Sequence, residues 1–362
     1  MIDAKADIPL KGRGAIANPG GRHEALSRVG VDDGWDYDDP DVPPLRTTIT
    51  PEACRQALTF NRSPDLPFDR SINPYRGCEH GCIYCYARPS HANMGLSPGL
   101  DFESRLFAKP DIADVLERDL RKPGYRAAPI MLGANTDPYQ PIEKQYRLSR
   151  QILQVLAACD HPVAIVTKSA MVLRDLDLLA PMARKGLVSV AVSVTTLDRT
   201  LSRQMEPRAA TPGKRLQTIR QLSEAGVPTM VFAAPMIPFL NDAELEGIVG
   251  AGKDAGAVAA SYTLIRLPLE LKDLFADWLR EHLPGKADHV LSLIRQNRAG
   301  GLNDPAFGRR MKGSGQLADV LAKRFRLTCR KHALNMKESD GLKLQTGLFR
   351  PPARAGDQMD LF

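Results

Sequence analysis

The stretch "NPYRGCEHGCIYCYARP", residues 73–89, places Cys78, Cys82 and Cys85 within eight residues, and the whole chain contains six cysteines. Tyr84 and Tyr86 flank the third cysteine of this group. In a reducing cytoplasm, clustered thiols indicate metal binding or redox chemistry rather than disulfides. The interpretation of this stretch therefore depends on the compartment in which the protein works.

Chain-wide features predict a cytoplasmic protein with no membrane partner. The 362 residues are 43% hydrophobic and 25% charged, which is ordinary for a globular protein. The chain contains no run of about 18 apolar residues, so no transmembrane helix is expected. The first residues, "MIDAKADIPLKGRG", lack the apolar core of a signal peptide. We therefore expect the cysteine stretch to carry metal or redox chemistry.

The charge distribution is compatible with a nucleic-acid partner. The net charge is +7, although residues 31–41, "VDDGWDYDDPD", form a strongly acidic stretch. The remainder of the chain is therefore more basic than the total suggests. An excess of basic residues more often means only a solvated basic surface, so this observation supports a nucleic-acid partner weakly.

From about residue 111, short apolar stretches alternate with amphipathic helical patterns. One such pattern, "TPGKRLQTIRQLSEAG", has Pro212 near its start and Gly226 after its end, as helices prefer. The alternation predicts a parallel sheet with helical crossovers, which is either an open doubly wound sheet or a barrel. No G-x-G-x-x-G motif follows the first strand, which disfavours a dinucleotide-binding fold. The predicted strands lie in "APIMLGANTDP", "PVAIVTKS", "LVSVAVSVTTLD", "VPTMVFAAPMIP" and "AASYTLIRLP".

The spacing Cys78-x3-Cys82-x2-Cys85 supplies three thiolates from one compact loop. A structural zinc site needs four ligands, so His80 or His91 would have to be the fourth. Their spacing from the cysteines is unlike that of a usual zinc finger. A 4Fe–4S cube held by three cysteines would keep one iron open. An open metal position is typical of a catalytic site, whereas a closed one is typical of a structural site.

The C-x3-C-x2-C spacing, with an aromatic residue directly before the third cysteine, resembles the signature of the radical S-adenosylmethionine (radical SAM) superfamily. The surrounding "NPYRGCEHGCIYCYARP" is similar to the spore photoproduct lyase-like branch, also called DNA repair photolyase-like. The resemblance implies a partial (β/α)6 TIM-like barrel over residues 67–285. An irregular amino-terminal arm (1–66), a helical carboxyl-terminal extension (286–340) and a flexible tail (341–362) would complete the chain.

The resemblance also implies the cofactors. Cys78, Cys82 and Cys85 would hold three irons of a 4Fe–4S cluster, and S-adenosylmethionine (SAM) would chelate the fourth. An electron from a flavodoxin or ferredoxin type of donor would then produce a 5′-deoxyadenosyl radical that abstracts a hydrogen atom from the substrate. The cofactors would carry the difficult chemistry, while the protein orients them and excludes water.

Further residues match positions near SAM in this family, and each also has a purely structural explanation as a turn, surface, strand or ion-paired residue. Tyr84 would pack near the adenine. The candidate SAM-binding residues are Tyr84, Asn135, Thr136, Asp137, Lys168, Ser193 and Arg215. Tyr86, Glu206 and Arg208 are the candidate catalytic residues, since Tyr86 matches a tyrosine linked to radical relay and the other two belong to an E-x-R-type loop.

One departure from the lyases bears on the substrate. Their hydrogen-donating cysteine lies just before the polar pair in the second-strand loop, where this chain has Ala134. Reversal of the spore photoproduct is therefore in doubt, because no thiol would quench the product radical at that position. Three hypotheses stay open: a radical SAM enzyme acting on nucleic acid, one acting on a peptide, tRNA-bound residue or small molecule, and a non-catalytic metal-binding module.

The carboxyl terminus carries a second resemblance. Gln358, Met359, Asp360, Leu361 and Phe362 resemble the short peptide by which bacterial polymerases and repair proteins dock on the replication sliding clamp. The apolar side chains could fill pockets while Gln358 supplies a directional hydrogen bond. Short motifs also arise by chance, and the same residues could fold back onto the protein's own core. Clamp docking would favour DNA as the substrate.

Overall fold

The computed structural model describes residues 10–24, 45–335 and 342–353. Most of its strands belong to one sheet with the order β10-β9-β8-β7-β6-β3-β2, and β1, β5 and β4 form a smaller sheet. The strands are β1 (Thr48–Pro51), β2 (Leu58–Phe60), β3 (Arg70–Ile72), β4 (Tyr75–Arg76), β5 (Arg105–Ala108), β6 (Ile130–Leu132), β7 (Val163–Thr167), β8 (Val188–Ser193), β9 (Thr229–Met236) and β10 (Ala259–Leu264).

The six strands from β3 to β10 in the large sheet are parallel, and β2 pairs antiparallel with β3 at one end. Within the described residues β10 and β2 do not pair, so the sheet is open rather than closed into a complete barrel. Parallel pairing places the carboxyl ends of all six strands at one edge. The predicted partial (β/α)6 barrel with a helical carboxyl-terminal region is therefore confirmed.

Helices follow most of the parallel strands and bury one apolar face each. In α2, Ile112, Val115, Leu116 and Leu120 lie at helical spacing and are all buried, which agrees with the amphipathic helical patterns expected from about residue 111. The helices are α1 (Asp101–Ser104), α2 (Ile112–Leu120), α3 (Glu143–Tyr146), α4 (Leu148–Ala158), α5 (Leu176–Arg184), α6 (Arg199–Met205), α7 (Pro212–Glu224), α8 (Leu245–Asp254), α9 (Leu271–His282), α10 (Ala287–Gln296) and α11 (Gln316–Lys331). Short 3₁₀ helices span Arg88–Met94, Ala170–Asp175 and Asp242–Glu244.

The strand predictions hold from β6 onward, but the sequence did not predict β3, the strand that precedes the cysteine stretch. Two further strands, β1 and β2, lie inside the segment expected to be irregular. The described residues 10–24 of that segment contain neither helix nor strand. The boundaries placed at residues 66, 285 and 340 stay predictions.

The outer edge of β10 is covered by the carboxyl-terminal region. The side chain of Asn335 accepts a hydrogen bond from the Ala260 amide (3.0 Å) and donates one to the Ala260 carbonyl (2.9 Å). The Leu264 amide donates to the carbonyl of Met311 at 3.0 Å. At Ala260 and Leu264, backbone groups that a seventh parallel strand would have used are therefore already paired.

No helix within the described ranges is long and apolar enough to cross a membrane. The acidic stretch 31–41 and the terminal pentapeptide, residues 358–362, lie outside the described residues. Cys159 and Cys329, which lie outside the cysteine stretch, are buried thiols in the core.

Candidate active site at the carboxyl edge of the sheet

The cysteine loop follows β3 at the carboxyl edge of the sheet. Gly77 and Gly81 adopt left-handed backbone conformations (φ 76° and 67°), which let the chain turn tightly around the thiols. Cys78 and Cys82 are buried and Cys85 is half-buried. Burial raises the pKa of Cys78, and the Asp137 carboxylate and the other two cysteines raise it further. The three sulfur atoms therefore lie close enough to influence one another electrostatically.

A buried ion pair supports the middle of the cysteine loop. Arg88 and Glu103 are both fully buried and pair with each other. Arg88 also donates to the backbone carbonyls of Cys82 (2.9 Å) and of Gly81, the residue before it (3.1 Å). The pair therefore fixes the path of the cysteine loop.

Residues of the amino-terminal segment complete this support. The amides of Gly14 and Ala15 donate to the carboxylate of Glu103 at 2.9 and 2.8 Å. A Cβ atom at Gly14 would collide with the Gly81 carbonyl oxygen, so the close approach of the two chains requires glycine. Sequence reasoning missed Arg88, Glu103 and this contact, since nothing in a Gly- and Pro-rich segment indicates which distant loop it covers.

The loop after β6 holds the start of the cysteine loop, through contacts with the residues before and after Cys78. The buried Thr136 donates its hydroxyl hydrogen to the Gly77 carbonyl at 2.7 Å. Gln140 donates to the Thr136 hydroxyl (3.0 Å) and accepts from the Glu79 amide (2.8 Å). Asn135 is exposed, and its backbone amide donates to the Asn73 side chain. In the described structure the hydroxyl of Thr136 is thus engaged in positioning the loop, and Gln140 is a partner that sequence reasoning missed.

Asp137 ties the ends of two strands to the cysteine loop. Its carboxylate accepts from the Thr167 hydroxyl (2.7 Å) and the Lys168 amide (2.8 Å), and it lies 3.3 Å from Nδ1 of His80. Although burial opposes its ionisation, His80 and these hydrogen bonds lower the pKa of Asp137 to about 2. Asp137 therefore stays charged throughout the physiological pH range.

Tyr84 is oriented by a buried polar network. Its hydroxyl donates to the carboxylate of Glu206, which also accepts from Thr195 (2.7 Å) and pairs with Arg215. Burial raises the pKa of Glu206, and Arg215 opposes that shift. Arg215 further donates to the carbonyl of Ser193 at 3.1 Å. Glu206 and Arg215 are thus committed to each other and to Tyr84, and Thr195 is a member of the network that sequence reasoning missed.

Lys168 lies above Tyr84, with its ammonium nitrogen 5.6 Å from the centroid of the tyrosine ring. Burial raises the pKa of Cys82, and the Lys168 charge acts against that shift, which places the lysine near the second cysteine. No ion pair of Lys168 exists within the described ranges. A half-buried lysine of this kind is available to an anionic group.

Arg208 and Tyr86, two of the candidate catalytic residues, contact different parts of the site. Arg208 pairs with Glu79 at 3.3 Å, and its amide donates to the His80 carbonyl. Tyr86 is 46% exposed and donates its hydroxyl hydrogen to the Ala134 carbonyl. The predicted site residues thus lie on one edge of the sheet, around the three cysteines.

Within residues 10–24, 45–335 and 342–353, no group of three or more histidine, cysteine, aspartate or glutamate side chains is arranged to hold a metal ion. The fit of a cluster therefore rests on the donor chemistry of the loop. Three neighbouring thiols on a loop held by buried contacts suit iron–sulfur ligation, because cysteine sulfurs are the usual protein ligands of such clusters.

Comparison with known proteins supports this interpretation. A family model for the radical SAM superfamily matches residues 72–251. An uncharacterized protein of Mycobacterium tuberculosis is 38% identical over 248 residues, which cover 67% of this chain and 72% of that protein. An uncharacterized protein of Methanocaldococcus jannaschii is 31% identical over 184 residues, covering 50% of this chain and 65% of that protein.

The fold is also that of a solved enzyme. The structure of spore photoproduct lyase complexed with dinucleoside spore photoproduct superposes with a TM-score of 0.58 and 15% identity, covering 78% of this chain and 79% of that one. This likeness is one of fold. The cysteine loop at the carboxyl edge of the partial barrel and the matches in sequence together show that the chain belongs to the radical SAM superfamily of enzymes.

Proposed function

We propose that the protein binds a 4Fe–4S cluster through Cys78, Cys82 and Cys85 and binds SAM beside it. Together these cofactors, when bound, supply a 5′-deoxyadenosyl radical that abstracts a hydrogen atom from the substrate. The observation that carries the proposal is the position of the three cysteines. They lie on one supported loop at the carboxyl edge of the six parallel strands of the partial barrel. An external flavodoxin or ferredoxin would reduce the cluster, and a cytoplasmic location suits that chemistry.

The surrounding residues are proposed to hold SAM. Lys168 offers a cation that could neutralise the methionyl carboxylate, and Tyr84 offers an aromatic ring fixed by Glu206 for packing against the adenine. Asn135, Thr136 and Asp137 border the cysteine loop, and Ser193 ends β8, where its carbonyl accepts from Arg215 of α7. We propose that Thr136, Asp137 and Arg215 act mainly by positioning, because their polar groups are already paired.

The proposed substrate is a nucleic acid, with damaged or modified DNA as the first class to test. Support comes from the net charge of +7 and from the fold shared with spore photoproduct lyase. Ala134, whose carbonyl accepts from Tyr86, leaves no thiol at that position to quench a product radical. We therefore propose a reaction different from spore photoproduct reversal, with Tyr86, Glu206 and Arg208 as candidates for roles in it.

Two alternatives remain open to experiment. A peptide, a tRNA-bound residue or a small molecule could be the substrate, and the chain could instead hold metal without catalysis. Anaerobic reconstitution with iron, sulfide, SAM and dithionite tests the central proposal, since 5′-deoxyadenosine should accumulate. Cluster formation without SAM cleavage would favour the non-catalytic module.

Replacing Lys168 by alanine should weaken SAM binding by about tenfold while leaving iron content unchanged. The expected loss corresponds to one charge-assisted contact of about 1.5 kcal/mol. Equilibrium titration of SAM into reconstituted protein, with iron and sulfide analysis of the same sample, measures both quantities. Parallel loss of cluster and SAM affinity would make the lysine structural, and unchanged affinity would make it a bystander.

The carboxyl-terminal pentapeptide, which lies outside the described residues, is proposed to dock on a replication sliding clamp. A peptide ending in Gln358-Met359-Asp360-Leu361-Phe362 should bind the cognate clamp, and a double change of Leu361 and Phe362 to alanine should remove binding, because both side chains are proposed to fill apolar pockets. A titration that detects no binding at about 100 μM would end this proposal.

A further inference from the structure

Arg266 follows β10 at the carboxyl edge of the sheet, directly beside the cysteine loop. Its guanidinium carbon lies 4.5 Å from the ring centroid of Tyr86, the residue after Cys85. The arginine is half-buried, whereas the tyrosine is 46% exposed. Stacking on the ring restricts the plane of the guanidinium, which prepares its fork of N–H donors for a partner.

No such partner is present in the described part of the chain. Arg266 makes no ion pair and no hydrogen bond through its side chain there, and burial, together with the nearby Arg310, lowers its pKa. The neighbouring acid, Asp65, already accepts from Arg310 (2.7 Å) and from the Gly308 amide (2.7 Å). A half-buried guanidinium whose N–H donors are unpaired favours the binding of an anionic ligand.

Other buried arginines of this protein show the contrast. Arg298, which is 1% exposed, donates to the carbonyls of Leu264 and Ile265 at 2.7 to 3.0 Å. Arg88 and Arg215 each pair with a buried glutamate. These side chains are used by the fold itself, whereas the donors of Arg266 are not used by the described residues around it.

We propose that Arg266 binds a phosphate of a nucleic-acid strand and so holds the target nucleotide at the carboxyl edge of the partial barrel, beside Tyr86. The inference rests on the proposed function and names one contact by which that substrate is recognised. A planar guanidinium matches a phosphate in two-pronged geometry. Because Tyr86 is 46% exposed, the surroundings of Arg266 are open, as a passing strand of phosphates requires.

The test is a titration of fluorescein-labelled single-stranded DNA with reconstituted full-length protein, read by fluorescence anisotropy at several salt concentrations. R266Q should bind about 5- to 20-fold more weakly, and its plot of log affinity against log salt should be shallower by about one unit, as expected for one lost phosphate contact. R266K keeps the charge but loses the fork. It should keep the wild-type slope while binding about threefold more weakly.

Arg280→Gln is the matched control, because it removes the same charge from an exposed pair with Asp277 on α9. It should leave both affinity and slope unchanged. Equal slopes for wild type and R266Q, or no binding of DNA by the wild type, would overturn the inference. If R266Q does not fold, wild-type affinity in R266K would overturn it. The 5′-deoxyadenosine formed by the wild type is measured in the same preparation, so failure of the proposed function is recognised separately.

Discussion

Replacing Cys82 by alanine should remove the iron–sulfur cluster and reduce 5′-deoxyadenosine formation to background. Only three cysteines are available on the loop, so the loss of one leaves two thiolates for a cluster that needs protein ligands on three irons. Cys82 is buried, which gives water little access to replace the missing sulfur. Iron and sulfide analysis, the visible absorption spectrum and chromatography of 5′-deoxyadenosine measure the outcome.

Cys159→Ala provides the matched control, since Cys159 is a buried thiol in the core with its sulfur directed at the Leu156 carbonyl. This change should leave cluster content and SAM cleavage intact. A Cys82→Ala protein that keeps a full cluster and turns over SAM would disprove the assignment of the three ligands.

Replacing Glu103 by glutamine should lower the free energy of unfolding by about 3–5 kcal/mol, the usual cost of breaking a buried ion pair. Arg88 would keep its charge at a fully buried position, and the new amide group would face the donating amides of Gly14 or Ala15 or the guanidinium. Chemical denaturation measures the change. The iron content after reconstitution should fall as well, because Arg88 holds the backbone at Cys82.

Glu117→Gln is the control for this second experiment. Glu117 is 42% exposed and lies 3.5 Å from Arg121 on the surface of α2. Exposed pairs contribute about 0–1 kcal/mol, so the same chemical change should have little effect there. If Glu103→Gln cost no more than Glu117→Gln, the buried pair would not be what supports the cysteine loop.

The sequence predicted the parts of this protein whose signals are local. The spacing of Cys78, Cys82 and Cys85 is read within eight residues, and each strand from β6 to β10 is a short apolar run beside an amphipathic helix. The Pro212 and Gly226 signals likewise bracket α7, which begins at Pro212 and ends just before Gly226. Signals of this kind can be read from the sequence because they do not depend on which residues lie opposite in the fold.

Contacts between distant segments could not be predicted in the same way. β3 has only three residues, including a buried Arg70, so it lacks the apolar run by which a strand is recognised. Glu206 and Arg215 were identified as candidates for the site, but the sequence could not show that they pair and orient Tyr84, 122 residues earlier than Glu206. Pairings across such separations depend on the assembled barrel rather than on local pattern.

The covering of β10 by Asn335 has a consequence for how the protein behaves at high concentration. A barrel left open ends in a strand whose free backbone groups could recruit a strand from a second molecule and start polymerisation. At Ala260 both the amide and the carbonyl are already occupied by one asparagine side chain, which imitates the backbone of a neighbouring strand. At that position a second molecule would first have to displace Asn335, so the barrel can stay open without offering a free edge there.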